Sequence, residues 1–446
     1  MKSNESRDPR PVRMEGAKPE TGHFEDFLDN PAHFLLRAWR ECGELAEFDL
    51  AGRRNILMVG PDAHEAVYRA PDAQLSASAP YQYMVPVFGE GIQYGAPLDI
   101  ERQQVKMQAN ALRPAQMRGY AQVIAKEVEE RVAGWGDSGE IDVYQEFQEL
   151  VLRTSTHCLM GAEFRRRLTE EFGELYHDLE QAISPAAILD PYGASEIFEK
   201  RDRARARLQE IIMEVVDERR REGGDHPDML QTFMNAAYVD GTKLPDEMIP
   251  GMVVWIMFAG FHTSSNTASW TMVELARNPQ FTPELFAEID SIYGAGDDLS
   301  FASLREIPRL ERFVFEVLRL HPPLVTLMRQ VMQDFEYKGN RFPKGDTLVI
   351  SPYVSHRIPE YFPDPERFDP NRPPVENVFA YIPFGGGARK CVGNAFALLQ
   401  VKSIFCALLS RYEFEIVGRP EAIVDSMPSL ILRPSEPCRV RYQKRG

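Results

Sequence analysis

A glycine-rich segment near the C-terminus carries the residue with the most distinctive chemistry, Cys391. Residues 384–393 read Phe-Gly-Gly-Gly-Ala-Arg-Lys-Cys-Val-Gly, and a helical pattern begins at about Gly393. A thiolate just before a helix N-terminus is stabilised by the helix dipole and by unpaired backbone N–H groups, which lower its pKa. Three glycines let the backbone approach a flat partner closely, and Arg389 is placed to hold a nearby anion. The alternative for such a segment is a glycine turn with an incidental buried cysteine.

A second candidate site lies within the apolar helical pattern over residues 246–277, in the segment Ala-Gly-Phe-His-Thr-Ser. Gly260 in a helix interior costs about 1 kcal/mol relative to alanine, so we expect a compensating role. Thr263 is placed to donate a hydrogen bond to the carbonyl of Ala259, which would bend the helix locally. A small residue beside a diverted carbonyl makes a groove that suits a diatomic ligand. An ordinary buried helix with packed polar residues is the alternative.

Glu316 and Arg319 form a weaker signal, three residues apart on the predicted helix Arg309–His321. Residues at this spacing share one helix face and can pair, but most such pairs are exposed and contribute little. Two downstream arginines, Arg367 and Arg372, follow in a stretch rich in proline.

The segment Phe384–Gly393 resembles the haem-binding loop of the cytochromes P450. The resemblance implies haem b with Cys391 as its axial thiolate, which would push electron density toward O–O cleavage. It also implies that Arg389 binds a haem propionate and that Thr263 is the proton-delivering alcohol. The further cofactor contacts that it implies are Phe384, Gly385, Ala259 and Gly260.

In this family the Glu316–Arg319 pair joins a downstream arginine to lock the region beneath the haem. The family's Phe-x-Pro-x-Arg frame fits Phe368 to Arg372, so the resemblance favours Arg372, although Pro373 replaces the usual aromatic residue after it.

His262 and an upstream loop point to one branch of the family. Most members carry Asp or Glu before the threonine, whereas a histidine there is typical of the sterol 14α-demethylases, and an imidazole relays protons near neutral pH. Residues 81–95, Tyr-Gln-Tyr-Met-Val-Pro-Val-Phe-Gly-Glu-Gly-Ile-Gln-Tyr-Gly, resemble the substrate-recognition loop of the same branch. By resemblance, Tyr81 and Arg329 bind a propionate. The residues implied to contact substrate are Tyr83, Met84, Phe88, Phe258, Ala259, His262, Leu324, Leu327 and Met427.

The chain departs from this branch at a few positions. Gly95 replaces a residue with a side chain, and Tyr83 replaces a common phenylalanine and adds a hydroxyl. Gln104 and Gln108 stand where Lys or His normally holds a propionate, and we assign both to the cofactor. We expect these changes to affect sterol specificity more than haem binding.

The elements that position these residues are predominantly helical. Apolar spacing predicts long helices, including Pro114–Trp135, Asp246–Arg277 and Gly393–Tyr412, with short strands toward both ends of the chain. The predicted fold is mainly α with a small β portion, a cytochrome P450 fold in one large domain. Residues 1–22 are predicted to be a flexible polar tail, and residues 23–446 the catalytic domain.

Composition limits the possible partners and environment. With 51 Lys and Arg against 67 Asp and Glu, the net charge of −16 disfavours nucleic acid as a partner. Five scattered cysteines suit a reducing cytoplasm. The most apolar run, Met252–Phe261, is about half of a membrane span, so we predict no span.

The prediction is therefore a soluble, cytoplasmic, bacterial and monomeric haem-thiolate monooxygenase that uses O2 and two electrons. Its closest resemblance implies oxidative removal of a sterol 14α-methyl group. Electrons would come indirectly from NAD(P)H through a ferredoxin and its reductase, docking on a basic patch of Arg102, Lys106, Lys390 and Lys402. Two alternatives stay open: hydroxylation of another steroid, terpenoid or lipid, and a haem-thiolate sensor without turnover.

Overall fold

Helices predominate in the computed structural model of the chain, which describes residues 10–167, 170–183, 187–188, 190–224, 226–293, 299–428 and 431–446. The helices are α1 (Phe24–Asp29), α2 (Pro31–Cys42), α3 (Pro61–Arg69), α4 (Val85–Phe88), α5 (Leu98–Ala111), α6 (Pro114–Met117), α7 (Tyr120–Val132), α8 (Val143–Arg166), α9 (Glu170–Gln181), α10 (Glu196–Glu222), α11 (Met229–Met234), α12 (Ile249–Arg277), α13 (Thr282–Tyr293), α14 (Pro308–Leu320), α15 (Pro352–Ser355) and α16 (Asn394–Leu409). The strands are β1 (Val12–Arg13), β2 (Leu45–Leu50), β3 (Arg53–Met58), β4 (Leu75–Ser76), β5 (Ser138–Asp142), β6 (Leu327–Val331), β7 (Phe335–Tyr337), β8 (Asn340–Phe342), β9 (Thr347–Ile350), β10 (Tyr412–Ile416), β11 (Asp425–Ser426), β12 (Arg433–Pro434) and β13 (Arg439–Lys444).

The chain divides into two compact units. The first, here called the sheet unit, draws its described residues from Met1–Tyr81, Leu318–Cys391 and Ser426–Leu432. The second, the helical unit, comprises the described residues of Gln82–Val317, Val392–Asp425 and Arg433–Gly446.

The sheet unit is built on six strands in the order β1-β2-β3-β9-β6-β4. β3 pairs with β2 in antiparallel and with β9 in parallel orientation, so the sheet is mixed. Its apolar core includes Leu45, Ile56 and Phe342, all with no exposed surface. This core supports α3 and the approach to the cysteine segment, because Ile382 belongs to the same apolar cluster.

The predicted N-terminal tail extends too far into the chain. Residues 1–9 lie outside the described residues, but Val12–Arg13 forms β1, which pairs with β2 in parallel orientation. Met14 is buried, and its N–H donates to the carbonyl of Glu47 at 2.8 Å. Residues 12–14 are therefore part of the sheet unit, because backbone pairing and one buried apolar side chain attach them to its edge strand.

The long helix α12 is the central element of the helical unit and packs against α8, α10, α11 and α16. It is apolar around most of its circumference, which is typical of a buried helix. By length and composition, the segment Asp246–Arg277 would be able to cross a membrane, but 72% of its apolar window is buried inside the protein. A buried core helix of a soluble protein can have the same length and apolar composition.

The remaining elements of the helical unit follow the sequence pattern with one clear difference. The single helix predicted over Pro114–Trp135 is two helices, α6 and α7, separated at Arg118 and Gly119. Glycine favours such a break, because fixing its flexible backbone in a helix costs more conformational entropy than for other residues. A small antiparallel sheet with the strand order β10-β13-β5 completes the unit.

Candidate active site

In the sheet unit, the cysteine segment folds as a tight loop against α3. Gly385 and Gly387 have φ angles of +67° and +62°, in the left-handed region that favours glycine. A Cβ on Gly386 would lie 2.8 Å from the ring of Tyr68, and one on Gly387 would collide with the Tyr68 carbonyl. The N–H of Cys391 donates to the carbonyl of Phe384 at 2.9 Å and closes the loop. The three glycines are therefore required by backbone conformation and by close packing.

Cys391 is exposed, unlike the other cysteines of the chain. Cys158, Cys406 and Cys438 are buried, and burial raises the pKa of both Cys406 and Cys438 to about 12. Buried thiols of this kind stay protonated and unreactive, whereas Cys42 is half-buried and Cys391 is the most accessible of the five cysteines.

Two of the residues predicted to bind a carboxylate bind the backbone of one residue of the sheet unit, Met328. Arg329 is buried, and its Nη1 donates to the carbonyl of Met328 at 2.8 Å. The N–H of Met328 donates to the hydroxyl of Tyr81 at 3.0 Å. Burial raises the pKa of Tyr81, whereas the nearby Arg329 charge opposes this shift. Arg389, the third predicted residue, donates from Nε to Oδ1 of Asp72 at 3.1 Å.

Arg319 and Arg372 bind a common carbonyl in the sheet unit. Arg319 donates to the carbonyls of Pro365 at 2.6 Å and Arg367 at 3.0 Å. Arg372 donates to the same Arg367 carbonyl at 2.6 Å. The guanidinium of Arg367, the other candidate, is largely exposed and lies 3.8 Å from Asp369. Glu316 lies earlier in α14 and is buried.

In the helical unit, α12 has a small open face in the middle of its buried length. Residues 252–258, 261–262 and 264–275 are buried, whereas Ala259 is exposed and Gly260 and Thr263 are half-buried. A Cβ on Gly260 would meet no atom within 4 Å. Oγ1 of Thr263 donates to the carbonyl of Ala259 at 2.8 Å. The predicted hydrogen bond of Thr263 is thus present, beside a locally open face of α12.

His262 is buried in an aromatic cluster beside this face. Its ring centroid lies 4.7 Å from that of Phe261, 5.2 Å from Phe258 and 5.7 Å from Tyr176. Burial lowers the pKa of His262 to about 4, so the imidazole is neutral at physiological pH. Its Nδ1 lies 3.7 Å from Oε1 of Glu180, and its Nε2 has no hydrogen-bond partner among the described residues.

Glu180 is a candidate functional residue that sequence reasoning missed. Burial raises its pKa, which makes the carboxyl more ready to carry a proton near neutral pH. Tyr176 and Glu180 are four residues apart in α9 and therefore share one helix face. That spacing was visible in the sequence, but nothing in it indicated that this face meets His262 of α12.

The loop predicted to recognise substrate is compact and buried. It consists of a 3₁₀ turn at Ala79–Met84, α4, and a second 3₁₀ turn at Gln93–Gly95. Tyr83, Met84 and Phe88 are all buried, and the Phe88 ring packs on the Phe258 ring with centroids 5.8 Å apart.

Gln104 binds this loop through both of its polar groups, a role that the sequence did not predict. Its Oε1 accepts from the N–H of Gln93 at 2.9 Å, and its Nε2 donates to the carbonyl of Gly91 at 2.7 Å. The side chain of Gln93 in turn donates to Glu101 at 3.2 Å. Both polar atoms of the buried amide thus have a partner within the helical unit, and its contact with a cofactor stays a prediction. Gln108 is also buried, and its Nε2 has no partner among the described residues.

The other residues predicted to contact substrate belong to the sheet unit. Leu324 is 43% exposed, which is unusual for a large apolar side chain. Leu327 is half-buried at the start of β6, and Met427 is buried.

Lys402 does not belong to a basic surface patch, contrary to the prediction. It is buried in α16, where its Nζ lies 2.6 Å from Oε2 of Glu311 and donates to the carbonyl of Leu304. An ammonium group is rarely buried unless it is paired, and both partners here satisfy that requirement. Arg102, Lys106 and Lys390 are exposed.

Comparison with known proteins gives a consistent family assignment. Residues 13–441 match the cytochrome P450 family model. The chain is 41% identical to a sterol 14α-demethylase from Mycolicibacterium vanbaalenii, covering 97% of this chain and 98% of that protein. It is 33% identical to a sterol 14-demethylase from Arabidopsis thaliana, with 98% and 91% coverage. The solved structure of the retinoic acid-bound cyanobacterial protein CYP120A1 has the same fold, with a TM-score of 0.86 at 22% identity over 98% of this chain and 99% of that one. The match of the family model over nearly the whole sequence, together with these relatives, shows that the chain belongs to the cytochrome P450 family.

Proposed function

We propose that this cytochrome P450 monooxygenase removes the 14α-methyl group of a sterol-like substrate by oxidation. The observation that carries the proposal is the similarity, over nearly the whole chain, to bacterial and plant proteins named as sterol 14-demethylases. A buried recognition loop rich in aromatic and methionine side chains supports it, because such a surface suits a large apolar substrate.

The residues of each unit fit the family's haem-thiolate cofactor. In the sheet unit, Cys391 offers an exposed sulfur, and Arg329, Arg389 and Tyr81 offer groups that bind carboxylates. In the helical unit, the space beside Gly260 is open, because a Cβ at this position would meet no atom within 4 Å, and a larger side chain would occupy it. Haem b would be held by the thiolate of Cys391 and would supply the binding and reductive activation of dioxygen, with electrons that come indirectly from NAD(P)H.

We assign proton delivery to Thr263 and His262, with Glu180 as the outer member of the path. The hydroxyl proton of Thr263 is directed at the Ala259 carbonyl, so the oxygen lone pairs are left to accept a hydrogen bond at the open face. Neutral His262 can accept a proton on one nitrogen and release one from the other. The carboxyl of Glu180 lies 3.7 Å from that imidazole, and burial raises its pKa, which favours its protonated form relative to an exposed carboxyl.

Substrate contacts are assigned to apolar side chains of both units. Those of the helical unit are Tyr83, Met84, Phe88, Phe258, Ala259 and His262, and those of the sheet unit are Leu324, Leu327 and Met427. The Tyr83 hydroxyl favours one alternative, the hydroxylation of a more polar steroid, terpenoid or lipid. That reaction would yield a single alcohol and no formate, whereas demethylation releases the methyl carbon as formate.

We further propose that the protein works as a monomer in a bacterial cytoplasm and receives electrons from a ferredoxin and its reductase. Arg102 and Lys106 are exposed in the helical unit and Lys390 is exposed in the sheet unit, and such cations support an acidic partner, because opposite charges steer association. Reversing the charge of Lys390 should slow reduction by the ferredoxin and weaken its dependence on ionic strength. Unchanged reduction kinetics would count against this docking surface.

An optical titration tests the proposed substrate class. Addition of a 14α-methyl sterol to the purified haem protein should shift the haem from low to high spin with saturation. A matched sterol that lacks the 14α-methyl group serves as the control and should bind more weakly. A thiolate-haem spectrum that neither sterol changes would refute the sterol assignment and leave the monooxygenase class in place.

A further inference from the structure

A buried histidine of the sheet unit, outside the residues assigned so far, contacts the segment that leads to Cys391. His356 follows α15 and has no exposed surface. Its Nε2 lies 2.9 Å from the backbone nitrogen of Ile382. Because a peptide N–H only donates, Nε2 must be the acceptor, and the proton of the neutral imidazole must lie on Nδ1.

Two further backbone hydrogen bonds extend from this contact to the cysteine. The N–H of Gly385 donates to the carbonyl of Ile382 at 3.0 Å. The N–H of Cys391 donates to the carbonyl of Phe384 at 2.9 Å. A short series of hydrogen bonds along consecutive segments therefore connects the imidazole of His356 to the peptide group of Cys391.

The backbone carbonyl of His356 is bound by Arg319 of α14. Nη1 of Arg319 donates to the His356 carbonyl at 3.1 Å. Burial lowers the pKa of His356 well below its ordinary value, and the charges of the nearby Arg319 and Arg357 lower it further. These groups all disfavour an imidazolium, so Nε2 keeps the lone pair that Ile382 requires.

A second buried histidine provides a natural comparison. His64 also has no exposed surface, and its Nδ1 donates to the carbonyl of Phe379 at 2.8 Å, while Ser355 donates to its Nε2 at 3.0 Å. Phe379 lies three residues before Ile382, and no backbone hydrogen bond of the described residues leads from it directly into the loop that ends at Cys391.

We propose that His356 is a positioning residue for Cys391, fixing the cysteine loop through the N–H of Ile382 and thereby the donor strength of the thiolate. Removal of the acceptor leaves a buried peptide N–H unsatisfied in a loop whose glycines supply little stiffness of their own. The loop then gains alternative conformations in which the thiolate binds iron less firmly. The proposal requires Cys391 to be the axial ligand, but it does not depend on the identity of the substrate.

The test compares His356→Leu, which has no acceptor, with His356→Gln, whose Oε1 can replace Nε2. We expect the ferrous carbonyl complex of His356→Leu to lose its thiolate-type absorption band about 10-fold faster than wild type, as the loss of one buried hydrogen bond implies. Its reduction potential should shift at the same time, and His356→Gln should restore both properties. Should His356→Leu fail to bind haem, a wild-type band and potential in His356→Gln would still support the role of the acceptor.

His64→Leu is the matched control, because it removes an equally buried histidine from the same unit. It should lower thermal stability but leave the absorption band and the reduction potential as in wild type. Equal changes in His64→Leu and His356→Leu, or no recovery in His356→Gln, would overturn the proposal. A failed sterol titration with these results intact would instead refute only the substrate assignment.

Discussion

His64 makes the stability of this protein depend on pH in a way that one substitution should remove. Burial lowers the pKa of His64 to about 4 from an ordinary value of 6.5, although its hydrogen bond to the Phe379 carbonyl partly opposes the shift. Because the native pKa is the lower one, the unfolded chain binds more protons between these two values. The free energy of unfolding therefore falls as the pH falls through this range.

The size of the effect follows from the shift. A difference of two to three pKa units corresponds to about 3 kcal/mol when the pH is below both values, of which about 2 kcal/mol is lost between pH 7 and pH 5. An unfolding entropy of about 2 cal/mol/K per residue gives about 0.9 kcal/mol/K for 446 residues. His64 should thus account for about 2 °C of the decrease in melting temperature between pH 7 and pH 5.

The perturbation is His64→Asn, whose side-chain amide can still donate to the Phe379 carbonyl but does not titrate. Calorimetry at both pH values should show a melting temperature that falls about 2 °C less in the variant than in wild type. At pH 7 the variant should melt at a lower temperature than wild type, because it keeps the hydrogen bond to Phe379 but loses the one from Ser355 to Nε2, so only the change between the two pH values is compared. Equal decreases in the two proteins would refute a neutral, buried His64.

Three further predictions, on Gly260, Gln104 and Lys402, test other parts of the account. Gly260→Ala should fold normally and gain up to about 1 kcal/mol of stability, but it should form less product per NAD(P)H consumed. The control Gly251→Ala should instead be destabilised, because its Cβ would lie 2.6 Å from the Phe88 carbonyl. Melting temperatures measure the stability of each variant, and the ratio of product to NAD(P)H consumed measures the coupling. Gln104→Leu should weaken sterol binding about 10-fold in the optical titration while haem content stays normal, since it releases only the recognition loop; loss of haem instead would show that Gln104 also holds the cofactor. Lys402→Met should lower the free energy of unfolding by about 1–3 kcal/mol and leave the rate of reduction by ferredoxin unchanged. A slower reduction would indicate that Lys402 contacts the ferredoxin after all.

The family, the fold class and the monooxygenase class could be predicted from short local patterns, and comparison confirms all three. Each pattern has a local cause. Positive φ angles favour glycine at positions 385 and 387 before Cys391, and the Thr263 hydrogen bond is set by its spacing from Ala259. Such signals survive in a single sequence because they depend on residues close together in the chain.

The errors and omissions concern residues whose roles depend on distant partners. The binding of Gln104 to the recognition loop depends on how α5 meets Gly91 and Gln93, and a helical pattern does not give that orientation. Lys402 looks like a surface cation in sequence, but Glu311 and the Leu304 carbonyl allow it to be buried.

The same limit applies to the missed contact between His262 and Glu180 and to the N-terminal strand. Helix α9 and helix α12 are separated by many residues, and no periodicity predicts which faces meet. Val12–Arg13 is too short and too polar to be recognised as a strand, and it becomes one only because β2 offers an edge.

Product analysis of the reconstituted enzyme tests the central claim most directly. The purified haem protein, supplied with NAD(P)H, a ferredoxin and its reductase, would be given a sterol with an isotopic label in the 14α-methyl group. The account predicts labelled formate in equal amount to a sterol that has lost this methyl group, and a strong decrease of both in Thr263→Ala. A singly hydroxylated product without labelled formate, or product formation that Thr263→Ala does not affect, would contradict it.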